Sequence, residues 1–108
     1  MDIKIDPCGV WYHGSDAVFS VLRQGSTVTQ WRELAEAFSH RPSRLSYDDT
    51  GAIGHNGTEK GFLYVIDEPV EIGRDMEPHP RSSMDPGAEF LTRRPLRVKL
   101  VETLAAPD

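Results

Sequence analysis

The sequence is poor in the residues that staple or metallate small proteins. It has one cysteine, Cys8, which excludes an internal disulfide framework and any multi-cysteine zinc site. Cys8 follows Pro7 near the amino end, where an incidental thiol is the expectation rather than a nucleophile. The four histidines, His13, His40, His55 and His79, match no metal-ligand spacing, so no metal is expected. There is no phosphate loop and no strand-glycine-helix dinucleotide fingerprint. No stretch approaches the ~18 consecutive apolar residues of a membrane helix. The first residues, 1–7, are mixed in charge and lack the apolar centre of a signal peptide, so a cytoplasmic protein without a membrane partner is expected. Basic charge is also short. Twelve Lys and Arg against 17 Asp and Glu leave a net charge of -5, which argues against a broad nucleic-acid surface while leaving room for a local basic pocket.

What is present suits one modest core. The chain has 108 residues, 38% of them hydrophobic and 27% charged. That length and balance predict a single domain over 1–108 and exclude collagen, coiled coil and simple disorder.

Val10-Trp11-Tyr12-His13, bounded by Gly9 and Gly14, reads as a strand. Ser15 or Asp16 then caps a short helix with Val18, Phe19, Val21 and Leu22 as its apolar stripe, stopped by Gly25. Trp31, Leu34, Ala35 and Phe38 recur at helical spacing behind Thr29, the candidate cap, which predicts a helix from about Gln30 to about Ala37. Residues 47–60 carry turn chemistry throughout. Phe62-Leu63-Tyr64-Val65-Ile66 is the clearest strand, central by its continuous apolar run. Residues 71–87 read as a long loop, which in a small domain is functional or mobile. Phe90 to Val101 alternates, with Leu96, Val98 and Leu100 on one face, as a half-buried strand does. The elements do not alternate as regular βαβ units, so the fold class is α+β with short, mostly antiparallel strands.

Three segments carry candidate chemistry. In Tyr12-His13-Gly14-Ser15, a histidine leaves a strand beside a glycine that lets a ligand approach the backbone. The histidine can donate to a sugar hydroxyl, and Ser15 can accept or donate beside it. The plainer reading is a strand-ending histidine lying against the surface. Glu89, in Gly87-Ala88-Glu89-Phe90-Leu91-Thr92, stands at the mouth of a strand, where a carboxylate can steer a hydroxyl or steady a developing cation. Its plainer reading is a solvated strand-end glutamate. The serines, His40 and Arg41 of the turn from Ala37 to Ser43 suit a pyrophosphate, or simply a solvated helix end.

Together these segments resemble the ADP-ribosyltransferase superfamily, in its histidine-type branch and its small rifampin-modifying members. Tyr12-His13-Gly14-Ser15 is similar to the family's early strand, and Glu89-Phe90-Leu91-Thr92 to its late strand with a catalytic glutamate. Gly61 to Ile66 followed by Arg94-Pro95-Leu96-Arg97-Val98 is similar to the rifampin-type end of the chain. The resemblance implies a split β-sandwich with one or two small helices, and NAD as substrate with no metal. It implies Glu89 and His13 as catalytic residues. It places NAD on His13, Gly14, Ser15, Ser39, Arg41, Arg44 and Tyr64. The middle active-site element is Ser39 or Tyr64, with Tyr47 a further candidate. The acceptor is open among a protein, a nucleic acid and a small molecule. Two other readings stand beside it: a non-catalytic interaction or inhibitor domain on the same fold, and an unrelated α+β domain whose acidic surface meets a basic partner.

Overall fold

The computed structural model describes residues 3–107. Nine strands and one helix follow in the order β1 (Tyr12–Ser15), β2 (Val21–Leu22), β3 (Thr27–Val28), α1 (Arg32–Ser39), β4 (Leu45–Tyr47), β5 (Ile53–His55), β6 (Gly61–Ile66), β7 (Met76–Pro78), β8 (Phe90–Thr92) and β9 (Leu96–Leu104). The fold is α+β, and every strand pairing is antiparallel. A four-stranded sheet has the order β1-β6-β9-β2, a three-stranded sheet β3-β8-β7, and a hairpin β4-β5. A bridge between Tyr12 and Thr29 ties the first two sheets together, with Tyr12 N donating to Thr29 O at 2.7 Å and Thr29 N to Tyr12 O at 3.0 Å.

β6 is central because both its faces are covered. Leu63 lies on the side of α1, with Leu34, Ala35 and Ala37 also buried. Tyr64 faces the main core with Trp11, Leu22, Val28, Met76, Phe90, Leu96 and Val98. Trp11 meets Phe90 edge-on, centroids 4.8 Å apart, a favourable geometry for two ring quadrupoles. α1 lies so close to the sheet that two strand positions have no room for a side chain. A Cβ on Gly14 would fall 1.8 Å from Ala35 O, and one on Gly61 2.0 Å from Ser39 Oγ.

Several expectations are corrected. The segment from Val18 to Leu22 forms no helix; β2 pairs there with β9. Its stripe is split, with Leu22 in the core and Phe19 packed against it while Val18 is 71% and Val21 54% exposed, so no single helical face is buried and so short a helix has no compensation for its nucleation. Ser15 Oγ accepts from Ala17 N at 3.1 Å and closes a local turn instead of a cap. α1 starts two residues later than expected, because Thr29 Oγ1 accepts from Trp31 N and spends its turn ahead of the helix. The turn-rich stretch 47–60 contains β5, and the loop 71–87 contains β7, anchored by the fully buried Met76. The last strand is two strands in two sheets, broken at Arg93-Arg94-Pro95. Leu100, expected inside, is 41% exposed.

Candidate active site

β1 delivers Tyr12, His13, Gly14 and Ser15 to the wall of a cleft of about 580 Å³. Glu89 reaches the same cleft from the start of β8, so the two candidate catalytic residues meet on one surface. Phe19 and Phe38 add aromatic walls, and Arg23 lines the cleft as well.

His13 is held from behind. Its Nδ1 lies 2.7 Å from Thr27 O, and a carbonyl only accepts, so Nδ1 carries the proton. Nε2 is then the acceptor nitrogen, with no protein partner among the described residues. Burial pushes the imidazole below its ordinary value of 6.5, against the opposing pull of the Thr27 hydrogen bond. A neutral His13 therefore turns an acceptor nitrogen, Nε2, away from Thr27, where the residue pattern alone suggested donation.

Glu89 sits between buried Ala88 and buried Phe90. Gly87, with φ of 89°, turns the chain into this position, and His79 N donates to Glu89 O at 3.1 Å. Ser82 Oγ donates to Glu89 Oε1 at 2.9 Å while accepting from Met84 N. The carboxylate is thus pinned by one oxygen. Among the described residues it is the only carboxylate lining this cleft.

A second cleft, of about 680 Å³, opens on the other side of Phe38 and Glu89, the two residues that line both. The β4-β5 hairpin forms its wall, and Arg44 lies there rather than beside His13.

The other predicted ligands are placed elsewhere. Ser39 is fully buried and donates to Glu36 O at 2.6 Å. Tyr64 is fully buried; its hydroxyl donates to Ala17 O at 2.7 Å and accepts from Phe19 N at 3.1 Å. Its ring stacks on Phe19, so it supports the cleft wall without lining it. Tyr47 Oη accepts from Asp85 N. Arg41 faces Asp16 at 3.4 Å, outside both clefts. Gly14 lines the cleft through its backbone, but the space its missing side chain leaves is filled by α1.

Residue pattern gave no hint of Arg23, Phe19, Ser82 or the buried Asp75. Asp75 takes Arg74 Nη2 at 2.8 Å, Arg94 Nε at 2.7 Å and the amide of Glu71. Arg74 first, then Arg94 and that amide, hold its carboxyl far below the usual carboxylate range despite burial. This network fixes the approach to β8 and β9, since Arg93 N donates to Asp75 O. Among the described residues no three His, Cys, Asp or Glu side chains gather as metal ligands, and no helix is long and apolar enough to cross a membrane.

No family model, no curated protein and no solved structure matches the chain.

Proposed function

We propose that this chain is a small NAD-dependent ADP-ribosyltransferase, with the family's split-sandwich core and with NAD bound in the His13 cleft. The observation that carries the reading is that His13 and Glu89, from opposite ends of the chain, line one cleft. The aromatic walls suit the nicotinamide ring. His13 Nε2 would accept from a ribose hydroxyl, and the backbone of Gly14 would meet the carboxamide. Arg23, which has no carboxylate partner among the described residues, would take the diphosphate.

The chemistry follows from charge development. As the bond between ribose C1′ and nicotinamide breaks, nicotinamide leaves neutral with the electron pair and the ribose becomes oxocarbenium-like. Glu89 meets that charge from a position already fixed by Ser82 and the β8 backbone. Such preorganised stabilisation acts on the transition state more than on bound NAD. A cytoplasmic setting, where thiols such as Cys8 stay reduced, fits this reading.

The second reading, a non-catalytic binding domain on the same fold, is favoured by one observation. The hydroxyls of Ser39, Tyr47 and Tyr64, the candidates for the middle active-site element, all have partners inside the protein. Chemical-shift mapping tests NAD binding. NAD should move the amides of Tyr12 to Ser15 and of Ser26 and Thr27 first. No shift at millimolar NAD would remove the transferase reading, and shifts without nicotinamide release would favour the binding domain.

A further inference from the structure

We propose that the second cleft is the acceptor site and that its acceptor is a small phosphate-bearing alcohol; this rests on the reading of the His13 cleft as the NAD site. A transferase must bring its two substrates together at the reacting carbon. Among the described residues Glu89 and Phe38 alone line both clefts, so the clefts meet where Glu89 would face ribose C1′.

The lining of the second cleft indicates what enters it. Arg44, like Arg23, Arg81 and Arg93, has no carboxylate partner among the described residues, and of these four it is the one that lines this cleft. Ser43, Ser46 and Ser83 supply hydroxyls. Ser43 Oγ accepts from Asn56 Nδ2 at 2.8 Å and keeps its own proton to donate. His55 Nδ1 accepts from Gly57 N at 3.0 Å, which places the proton of the neutral ring on Nε2, again a donor. Glu89, at the junction, is the one carboxylate on this lining among the described residues. A guanidinium amid several hydroxyl and imidazole donors suits the three oxygens of a phosphate monoester. The net charge of -5 works against a long polyanion, which favours a small acceptor over a nucleic-acid strand.

The transfer balances without any further reactant. The acceptor oxygen bonds to ribose C1′ as the bond from C1′ to nicotinamide nitrogen breaks. Nicotinamide leaves neutral with that electron pair. The hydroxyl proton passes to the free oxygen of Glu89 and from there to water.

The test is a ¹⁵N chemical-shift titration of the full chain with inorganic phosphate, alone and with NAD at saturation. Phosphate should move the amides of residues 43–46, Gly54 and Ser83 in both cases, and acetate at equal concentration should not. Arg44→Gln, at an exposed position, should keep the dispersed spectrum of the fold and weaken phosphate binding at least tenfold. Phosphate shifts confined to Ser26 and Thr27 would overturn the proposal, as would their absence at 43–46 or expulsion of phosphate by NAD. Tighter binding of a short single-stranded oligonucleotide at the same amides would overturn the small acceptor. If NAD itself moves nothing at Tyr12 to Ser15, the donor reading falls and the acceptor assignment with it, while phosphate shifts at 43–46 would leave a bare anion site.

Discussion

The Nδ1 of His13 lies 2.7 Å from the carbonyl oxygen of Thr27, and this contact decides which face of the ring meets the cleft. Burial of the ring, working against that contact, sets a pH dependence. Burial lowers the His13 value in the folded chain below its ordinary 6.5, so between the two the unfolded chain binds more protons. Stability rises with pH there: the contribution is complete above 6.5 and is lost as pH falls through the lowered folded value. Urea midpoints of wild type should therefore fall from pH 7.5 to pH 5 more steeply than those of His13→Gln. Parallel pH profiles would contradict the buried neutral ring.

Tyr64 holds the Ala17 to Phe19 loop through both hydroxyl contacts. Tyr64→Phe leaves the Phe19 amide without its acceptor and should cost about 1–3 kcal/mol. NAD should still shift Tyr12 to Ser15. Unchanged stability with lost NAD binding would return the hydroxyl to the ligand.

Gly14 admits no side chain. Gly14→Ala puts a methyl against Ala35 O, backbone that cannot swing aside, and should cost the upper end of about 1–3 kcal/mol for overpacking, or more. Unchanged thermal stability would contradict the close contact of β1 and α1.

Asp75 joins Arg74 and Arg94 beneath the turn between β8 and β9. Its folded value lies below the ordinary 3.8, so its contribution is present above 3.8 and is lost as pH falls toward the folded value. Asp75→Asn should destabilise by about 1–3 kcal/mol at pH 7, since it weakens hydrogen bonds to two charged groups that stay solvated, and should reduce the loss of stability on acidification below 3.8. Denaturant titrations at pH 7 and pH 3 measure both effects.

The strands and helix that bury long faces were legible in the residues. β6 reads as central from its continuous apolar run, and the structure covers Leu63 and Tyr64 from opposite sides; α1 reads from the spacing of Trp31, Leu34, Ala35 and Phe38, of which Leu34 and Ala35 are fully buried. The short strands were not. β5 and β7 are three residues each, made of Gly, His, Pro and Glu as much as apolar residues, and only their partners make them strands. The site divides the same way. His13 and Gly14 lie within β1, which runs on to Ser15 rather than ending at His13, and Glu89 stands just before β8; the strand and turn patterns around them are local. Arg23, Phe19 and Ser82 join them only through pairing of β2 with β9 and through the fold of the loop before β8, which no local pattern encodes. Ser39 and Tyr64 enter only through the family resemblance, as candidates for its middle element, and the fold uses those hydroxyls to close α1 and the 17–19 loop.

The most direct test of the account is nicotinamide release from NAD by wild type and Glu89→Gln. The substitution keeps an acceptor for Ser82 and should leave stability within ~0.5 kcal/mol and NAD affinity nearly unchanged, while turnover falls about 10²–10³-fold. His13→Ala should weaken NAD binding as well as turnover, because its hydrogen bond is present before the reaction starts. Equal release by Glu89→Gln and wild type would contradict the catalytic role of Glu89 and with it the transferase assignment.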